Sequence, residues 1–373
     1  MHLQQYNYKN QMENNYCVIM AGGIGSRFWP MSTVQRPKQF LDVLGIGKSL
    51  LRMTFERMLH IAPAENIYIV TNAMYKELVM QQLPELSENQ VLTEPQRKNT
   101  APCITYAAAK IHAINPNATL VVAPSDHLIL KEEKFTEDVQ TAIRAAGSGE
   151  RLVTLGIKPT RPDTGYGYIE FVEDGDILPG QVKDVKHFTE KPNRELAEIF
   201  LKSGNYYWNS GIFIWKSSTI LHALEKFKPE LHQLFTQHAN KYNSTEEQAY
   251  VNDCFEKCED ISIDFAVMEN AKNVDVVLAT FDWSDLGTWG SLYTHLEKDY
   301  NGNAVIGDNV HMINSENCIV NLPNDKLALI QGLENYIVVE SDNMLMILNQ
   351  HDEQNLKKYM APMEEASPQF FPK

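Results

Sequence analysis

The chain has 373 residues, of which 43% are hydrophobic and 10% aromatic, and it carries a formal net charge of −15. That length and core stock suit one large domain plus a small one, or two medium ones, and the acidic balance excludes non-specific binding to nucleic acid or an anionic membrane. No apolar run approaches membrane-spanning length, the N-terminus lacks the apolar core of a signal peptide, and the five cysteines are scattered and odd in number, so a cytoplasmic location is expected.

Residues 1–15 are polar and without period, and a disordered extension is expected there. Cys17–Met20 then reads as a buried parallel strand running into Ala21-Gly22-Gly23-Ile24-Gly25-Ser26-Arg27-Phe28-Trp29-Pro30. The glycines let backbone N–H groups approach a ligand, and Arg27 with Lys38, in Pro37-Lys38-Gln39-Phe40, adds the cations a polyphosphate needs. The spacing is neither the Rossmann pattern nor a Walker loop. Gly47-Lys48-Ser49 lacks the upstream glycine, because position 42 is Asp42, and reads as a surface turn.

Further strands are expected at Ile67–Val70, Thr119–Ala123 and Arg151–Ile157, alternating with helices at Leu50–His60, Asn72–Gln82, Ala101–Ile114 and Lys134–Ala146. Such alternation predicts an α/β fold with a Rossmann-like, mostly parallel sheet that binds ligands at the carboxyl ends of its strands. The glycine loop and Pro124-Ser125-Asp126-His127 would then open onto one crevice. From about Gly156 to Trp215 the texture is strand-like, at Tyr166–Phe171, Val182–Thr189 and Ser210–Trp215, and suggests an antiparallel extension over that crevice. Ile220–Lys257 is helical; Cys254 and Cys258, one turn apart, have no second pair at matching spacing and are expected to pack. After about Tyr300, short β runs separated by Asn, Asp and Gly predict a small β domain, closed by a helix over Glu353–Glu364. The expected division is therefore an extension at 1–15, a nucleotide-handling domain at 16–298 and the β domain at 299–373.

Asp126 follows a buried strand, where a carboxylate is placed to hold Mg²⁺ against phosphate oxygens. Asp285, in Trp283-Ser284-Asp285-Leu286-Gly287-Thr288-Trp289, is the expected second metal carboxylate, with Asp282 the fallback. His127 is expected to be structural, since transfer to an ionised phosphate needs no base. In Glu94-Pro95-Gln96-Arg97-Lys98-Asn99-Thr100-Ala101-Pro102, Thr100 is expected to cap the following helix, and Glu94 to face the N1–H and N2 amine of guanine. Glu190 suits sugar hydroxyls, Lys191 a sugar phosphate, and Asn209 both donor and acceptor duty.

Taken together, Ala21–Pro30, Pro37–Phe40, Glu94–Pro102, Pro124–His127, Phe188–Pro192, Trp208–Phe213, Ser262–Glu269 and Trp283–Trp289 resemble the mannose-1-phosphate guanylyltransferases of the sugar-nucleotide pyrophosphorylase superfamily. The resemblance implies a Mg²⁺-dependent reaction in which mannose 1-phosphate attacks the α-phosphorus of GTP to give GDP-mannose and pyrophosphate. It implies a nucleotide site of Ala21, Gly22, Gly23, Gly25, Arg27, Glu94, Asn99, Thr100 and Ser125. Gly165, Glu190, Lys191 and Asn209 would hold the sugar phosphate, Arg27, Lys38, Asp126 and Asp285 would be catalytic, and Asp126 and Asp285 would hold the metal. Asp264 and Glu269 are expected to support the sugar loop. About 85 residues follow Trp289, too few for the isomerase domain of the long family members, so the short form is expected, with a β-helix-like C-terminal domain and a homodimer by analogy. A guanylyltransferase for another sugar 1-phosphate, such as a heptose, and a non-catalytic GDP-mannose-binding subunit are the alternatives.

Overall fold

The computed structural model describes residues 12–23, 26–175 and 177–371. By packing, the chain forms two compact units: the described residues up to Gly22 with Thr54–Ser125 and Ile129–Trp283, and Gly23–Met53 with Asp126–Leu128 and the chain from Ser284 onward.

In chain order the strands of the first part are β1 (Asn15–Met20), β2 (Ile67–Asn72), β3 (Val91–Glu94), β4 (Thr119–Pro124), the two-residue β5 (Leu128–Ile129), β6 (Leu152–Ile157), β7 (Tyr168–Phe171), β8 (Val182–Thr189), β9 (Tyr206–Lys216), β10 (Val274–Leu278) and the two-residue β11 (Trp283–Ser284). Nine of them form one sheet in the order β3-β2-β1-β4-β9-β6-β10-β8-β7. β1 to β4 pair in parallel, as their continuous apolar runs require of strands covered on both faces. β9 runs antiparallel between β4 and β6, with Ile214 opposite both Val121 and Val153. The expected antiparallel extension is therefore part of the central sheet: β9 joins the parallel set β1 to β4 to the parallel pair β6 and β10, β8 runs antiparallel to β10, and β7 pairs antiparallel with both β8 and β9.

The β6–β9 register shifts between Thr154 and Gly156. A Cβ at Gly156 would lie 2.6 Å from Val276 Cγ2, so no larger residue fits this bulge without a shift. Bulges re-aim neighbouring side chains, and here the Thr154 hydroxyl reaches both Ile212 O (3.0 Å) and Asn209 Oδ1 (2.9 Å). The Ala-rich helix Thr100–Ile114 is buried along most of its length. Its Lys110 ammonium is held by both carboxylate oxygens of Glu247, at 2.6 and 2.7 Å, which is what permits a cation there. Cys254 and Cys258 are buried thiols bonded to backbone carbonyls, as expected of packing cysteines.

Asn14 and Asn15, within the expected disordered extension, are bonded into the fold. The Asn14 carbonyl accepts from Thr119 N at 2.8 Å, and the Asn15 side-chain amide donates to Ile61 O at 3.1 Å. These asparagines satisfy backbone groups, which a composition-based reading of polar residues does not see; residues 1–11 lie outside the described residues.

The second unit holds β12 (Ala304–Ile306), β13 (Val310–Ile313), β14 (Ile319–Asn321), β15 (Ala328–Gln331), β16 (Tyr336–Ser341) and β17 (Met344–Asn349). Ala304 pairs in parallel with Ile319, and Ile319 with Ile337; β13 and β15 pair in parallel beside them. β17 closes one edge antiparallel to β16, and the last helix runs Leu356–Ala366. One apolar cluster joins Ile319, Ile337, Val339, Met344, Met346, Leu356 and Met360 to Phe28, Leu41, Leu286 and Trp289. The Gly45–Gly47 segment is a turn: both glycines have positive φ, and the Asp42 carboxylate accepts from Ile46 N and Gly47 N at 3.1 and 2.6 Å.

Candidate functional site

In the second unit three remote segments converge on one ammonium. Lys38 is 5% exposed, and its Nζ donates to Asp126 Oδ2 at 2.9 Å and to the backbone oxygens of Asp285 and Leu286 at 2.6 and 3.2 Å. Three acceptors match the three ammonium protons, so the charge is fixed in place. A 3₁₀ turn over Lys38–Phe40 holds this side chain, and the neighbouring Gln39 amide donates to Gly23 O at 2.9 Å. The acceptor side is built by an unusual backbone. Leu286, fully buried, has φ +46°, and Ser284 Oγ accepts its N–H at 3.1 Å. Thr288 caps the helix that follows, Trp289–Tyr293.

Burial opposes the charge of Asp126, but the Lys38 ammonium and His127 outweigh it and hold the carboxyl below its usual range. His127 Nε2 lies 4.0 Å from Asp126 Oδ1. The Asp285 carboxylate accepts from Gly287 N at 3.2 Å. A Cβ on Gly287 would lie 3.1 Å from Asp285 Oδ2 and 3.3 Å from Arg27 Nη1, so that glycine leaves room where the carboxylate and the guanidinium approach. Asp282, the fallback carboxylate, pairs with Lys131 at 3.1 Å instead.

The chemistry of the Asp126 and Asp285 carboxylates suits a hard divalent cation. Among the described residues no group of three or more His, Cys, Asp or Glu is arranged to hold a metal. Two carboxylates completed by phosphate oxygens is the usual Mg²⁺ arrangement, and Asp126 is kept ionised, as a ligand must be.

In the first unit Glu94 ends β3, 5% exposed, with Oε1 buried and unbonded. Burial pushes its carboxyl up to about 7, against the Cys103 thiol hydrogen bond and the Arg97 charge. A Cβ on Gly22 would lie 3.4 Å from Glu94 Oε2. The backbone around it is tied down: Ala21 N donates to Val70 O at 2.7 Å, and Ser125 N to Met20 O at 3.0 Å. Asn99, not Thr100, caps the helix, with φ +65° and Oδ1 accepting from Thr100 N at 2.9 Å. Asparagine tolerates this left-handed backbone, whereas the branched threonine does not; Thr100 Oγ1 instead accepts from Ile263 N at 2.9 Å. Arg97 donates to the Tyr75 hydroxyl at 2.9 Å, and Lys98 to Cys258 O at 3.2 Å.

The same unit gathers the residues expected at the sugar. Glu190 Oε1 is 3.1 Å from Lys191 Nζ, and Glu190 N donates to Glu269 Oε1 at 3.0 Å. A Cβ on Gly167 would collide with Glu190 Oε2. Asn209 does less than expected. Its Oδ1 accepts from Thr154 Oγ1 and, at 3.3 Å, from Gly211 N, while Nδ2 donates to Asp264 Oδ1 at 2.9 Å. The oxygen is occupied, so one N–H is left to offer. Gly165 N donates to Asp163 Oδ1 at 2.9 Å.

Thus Arg27, Lys38, Asp126 and Asp285 meet in one unit; Gly22 meets Glu94, and Glu190, Lys191 and Asn209 share partners, in the other. Gly25 lies outside the described residues. Thr154, Gly167 and Cys103 were missed, and nothing in their local sequence flags them. Backbone strain is a signal only the structure carries. Among the described non-glycine residues with positive φ, Lys191 (+47°) and Leu286 (+46°) stand apart, since the others are Asn or Asp. Such positions collect at functional sites.

Residues 16–302 match the nucleotidyl transferase family model. Over 348 residues the chain is 38% identical to a mannose-1-phosphate guanylyltransferase of Klebsiella pneumoniae, covering 91% of this chain and 72% of that protein. The chain belongs to the mannose-1-phosphate guanylyltransferase family. A solved structure named a mannose-1-phosphate geranyltransferase, from Thermus thermophilus, superposes with a TM-score of 0.81 at 28% identity, over 94% of this chain and 99% of that one. Another, named a mannose-6-phosphate isomerase, from Helicobacter pylori, gives a TM-score of 0.60 at 28% identity, over 73% of this chain and 99% of that one.

Proposed function

We propose that the protein transfers GMP from GTP to mannose 1-phosphate. A phosphate oxygen of the sugar phosphate attacks the α-phosphorus in line, the bond to the β-phosphate oxygen breaks, and pyrophosphate leaves with the electron pair. The attacking phosphate is already ionised, so no proton transfer is required. The observation that carries this reading is the Lys38 ammonium bonded at once to the Asp126 carboxylate and the Asp285 carbonyl, in a chain of this family. A fixed cation beside an ionised carboxylate is what ordering two anions demands.

In this reading the backbone of Ala21, Gly22, Gly23 and Gly25, with Arg27, holds the triphosphate, and Lys38 screens charge at the reacting phosphates. Asp126 and Asp285 would hold Mg²⁺, which when bound neutralises phosphate charge and polarises the α-phosphoryl group. Glu94 reads guanine, with Asn99, Thr100 and Ser125 on the nucleoside. Gly165, Glu190, Lys191 and Asn209 hold the sugar phosphate. The domain boundary at 298/299, a cytoplasmic location, a β-helix-like coil of β12 to β16 and a homodimer complete the proposal. The parallel pairing Ala304–Ile319–Ile337 supports the coil, and exposed Leu327, Leu329, Leu345 and Ile347 support a partner surface. Light scattering that reads a monomer at working concentration would remove the dimer.

The test is pyrophosphate release by purified protein with GTP, Mg²⁺ and a panel of sugar 1-phosphates. Mannose 1-phosphate is expected to give the highest kcat/KM. Preference for another sugar would reassign the substrate, and no release with any sugar would overturn the reading.

A further inference from the structure

Asn209 presents its carboxamide in one orientation, and its neighbours determine which. The oxygen accepts from Gly211 N and from the Thr154 hydroxyl, whose single proton it shares with Ile212 O. The amide nitrogen is taken on one side by Asp264 Oδ1, at 2.9 Å. Asp264 begins a five-residue π-turn, Asp264–Met268, closed by Glu269 N donating to Asp264 O at 3.0 Å. The other end of that turn, Glu269, accepts the Glu190 N–H. One turn therefore grips two separate sugar-side residues: Glu190 by its backbone, Asn209 by its side chain.

We propose that Asp264 is a positioning residue for the sugar phosphate. It locks the Asn209 amide so that its remaining N–H, and not its oxygen, is offered to a sugar oxygen, while Glu269 fixes the Glu190–Lys191 pair beside it. The proposal rests on the sugar-site reading above. An ionised Asp264 is the better acceptor for an amide N–H. The charged groups facing it are Glu190 and Lys191 from the segment after β8.

The experiment is a double-mutant cycle with Asp264→Ala, Asn209→Ala and the pair, read as kcat/KM for mannose 1-phosphate and KM for GTP. Asp264→Ala is expected to lower kcat/KM for the sugar on the order of tenfold, the value of a charge-assisted hydrogen bond, with KM for GTP unchanged. In the Asn209→Ala background the same change should cost almost nothing, because its effect passes through Asn209. Equal cost in both backgrounds would overturn the proposal. No effect of Asn209→Ala on the sugar would instead overturn the sugar-site reading. Asp264→Asn keeps an acceptor of the same shape; it should restore most of the kcat/KM and flatten its dependence on pH near neutrality, and a profile identical to that of the parent would also count against Asp264.

Discussion

Asp126 in the second unit and Glu94 and Asp264 in the first live in opposite electrostatic regimes. Asp126 is part-buried beside a fixed ammonium and is held ionised. Glu94 is buried and Asp264 is part-buried beside Glu190; desolvation pushes each carboxyl up to about 7, against the Arg97 charge in the first case and Lys191 in the second. The same chemical group is thus a permanent anion in one place and a titrating acceptor in the other. Burial alone raises a carboxyl pKa, and a cation within bonding distance reverses the outcome. A site for polyphosphate and metal needs the first kind. A site that reads hydrogen-bond donors on a base, or that holds a positioning amide, tolerates the second.

Breaking the first regime should have the largest effect. Lys38→Ala removes the counter-charge of Asp126, and Asp126→Ala removes a proposed metal carboxylate; each is expected to cost on the order of 10³-fold in kcat, read as pyrophosphate release. Retention of a tenth of the activity by either variant would remove that residue from the catalytic set. Chelation with EDTA should abolish turnover, and added Mg²⁺ should restore it. In the second regime, Gly167→Ala drives a methyl group into Glu190 Oε2; kcat/KM for the sugar should fall about tenfold with KM for GTP unaffected.

Glu94→Gln should lower the preference for GTP over ATP by about 10–100-fold, because an unsatisfied partner is what rejects the wrong base. In the parent protein KM for GTP should fall as pH rises through about 7, where the carboxyl ionises, and the Gln variant should lose that trend. The smallest effect concerns stability. Glu94 and Asp264 have folded-state pKa values above their unfolded values, so between about pH 4 and pH 7 the folded state binds more protons and stability falls as pH rises. Glu94→Gln should therefore raise Tm by a few degrees at pH 8 relative to the parent, and by less at pH 5. Asp126 works in the opposite sense: its contribution is present at neutral pH and lost in acid, below its usual range.

The sheet's parallel half was legible because buried strands leave continuous apolar runs, as at Cys17–Met20 and Thr119–Ala123. The insertion of β9 between β4 and β6 was not, since strand order depends on pairings between remote residues that no local period records. Lys38 and Asp126 stood out as charges in motif-like segments. The bond from Lys38 to the Asp285 carbonyl did not, because every residue type has the same carbonyl. The helix cap was misassigned for a related reason: Asn99 and Thr100 both cap helices, and the choice turned on one positive φ.

The apolar cluster of the second unit has a consequence for how the chain can be cut. Ile319, Ile337, Val339, Met344 and Met346 pack in the same cluster as Phe28, beside Arg27, and Leu286, whose carbonyl meets Lys38. The C-terminal strands are therefore a foundation and not an ornament. A truncation after residue 298 would keep every proposed catalytic residue in the polypeptide, yet strip the floor from beneath four of them. Such a fragment should be inactive and protease-sensitive, and fusing other modules in place of these strands would have to rebuild that floor first.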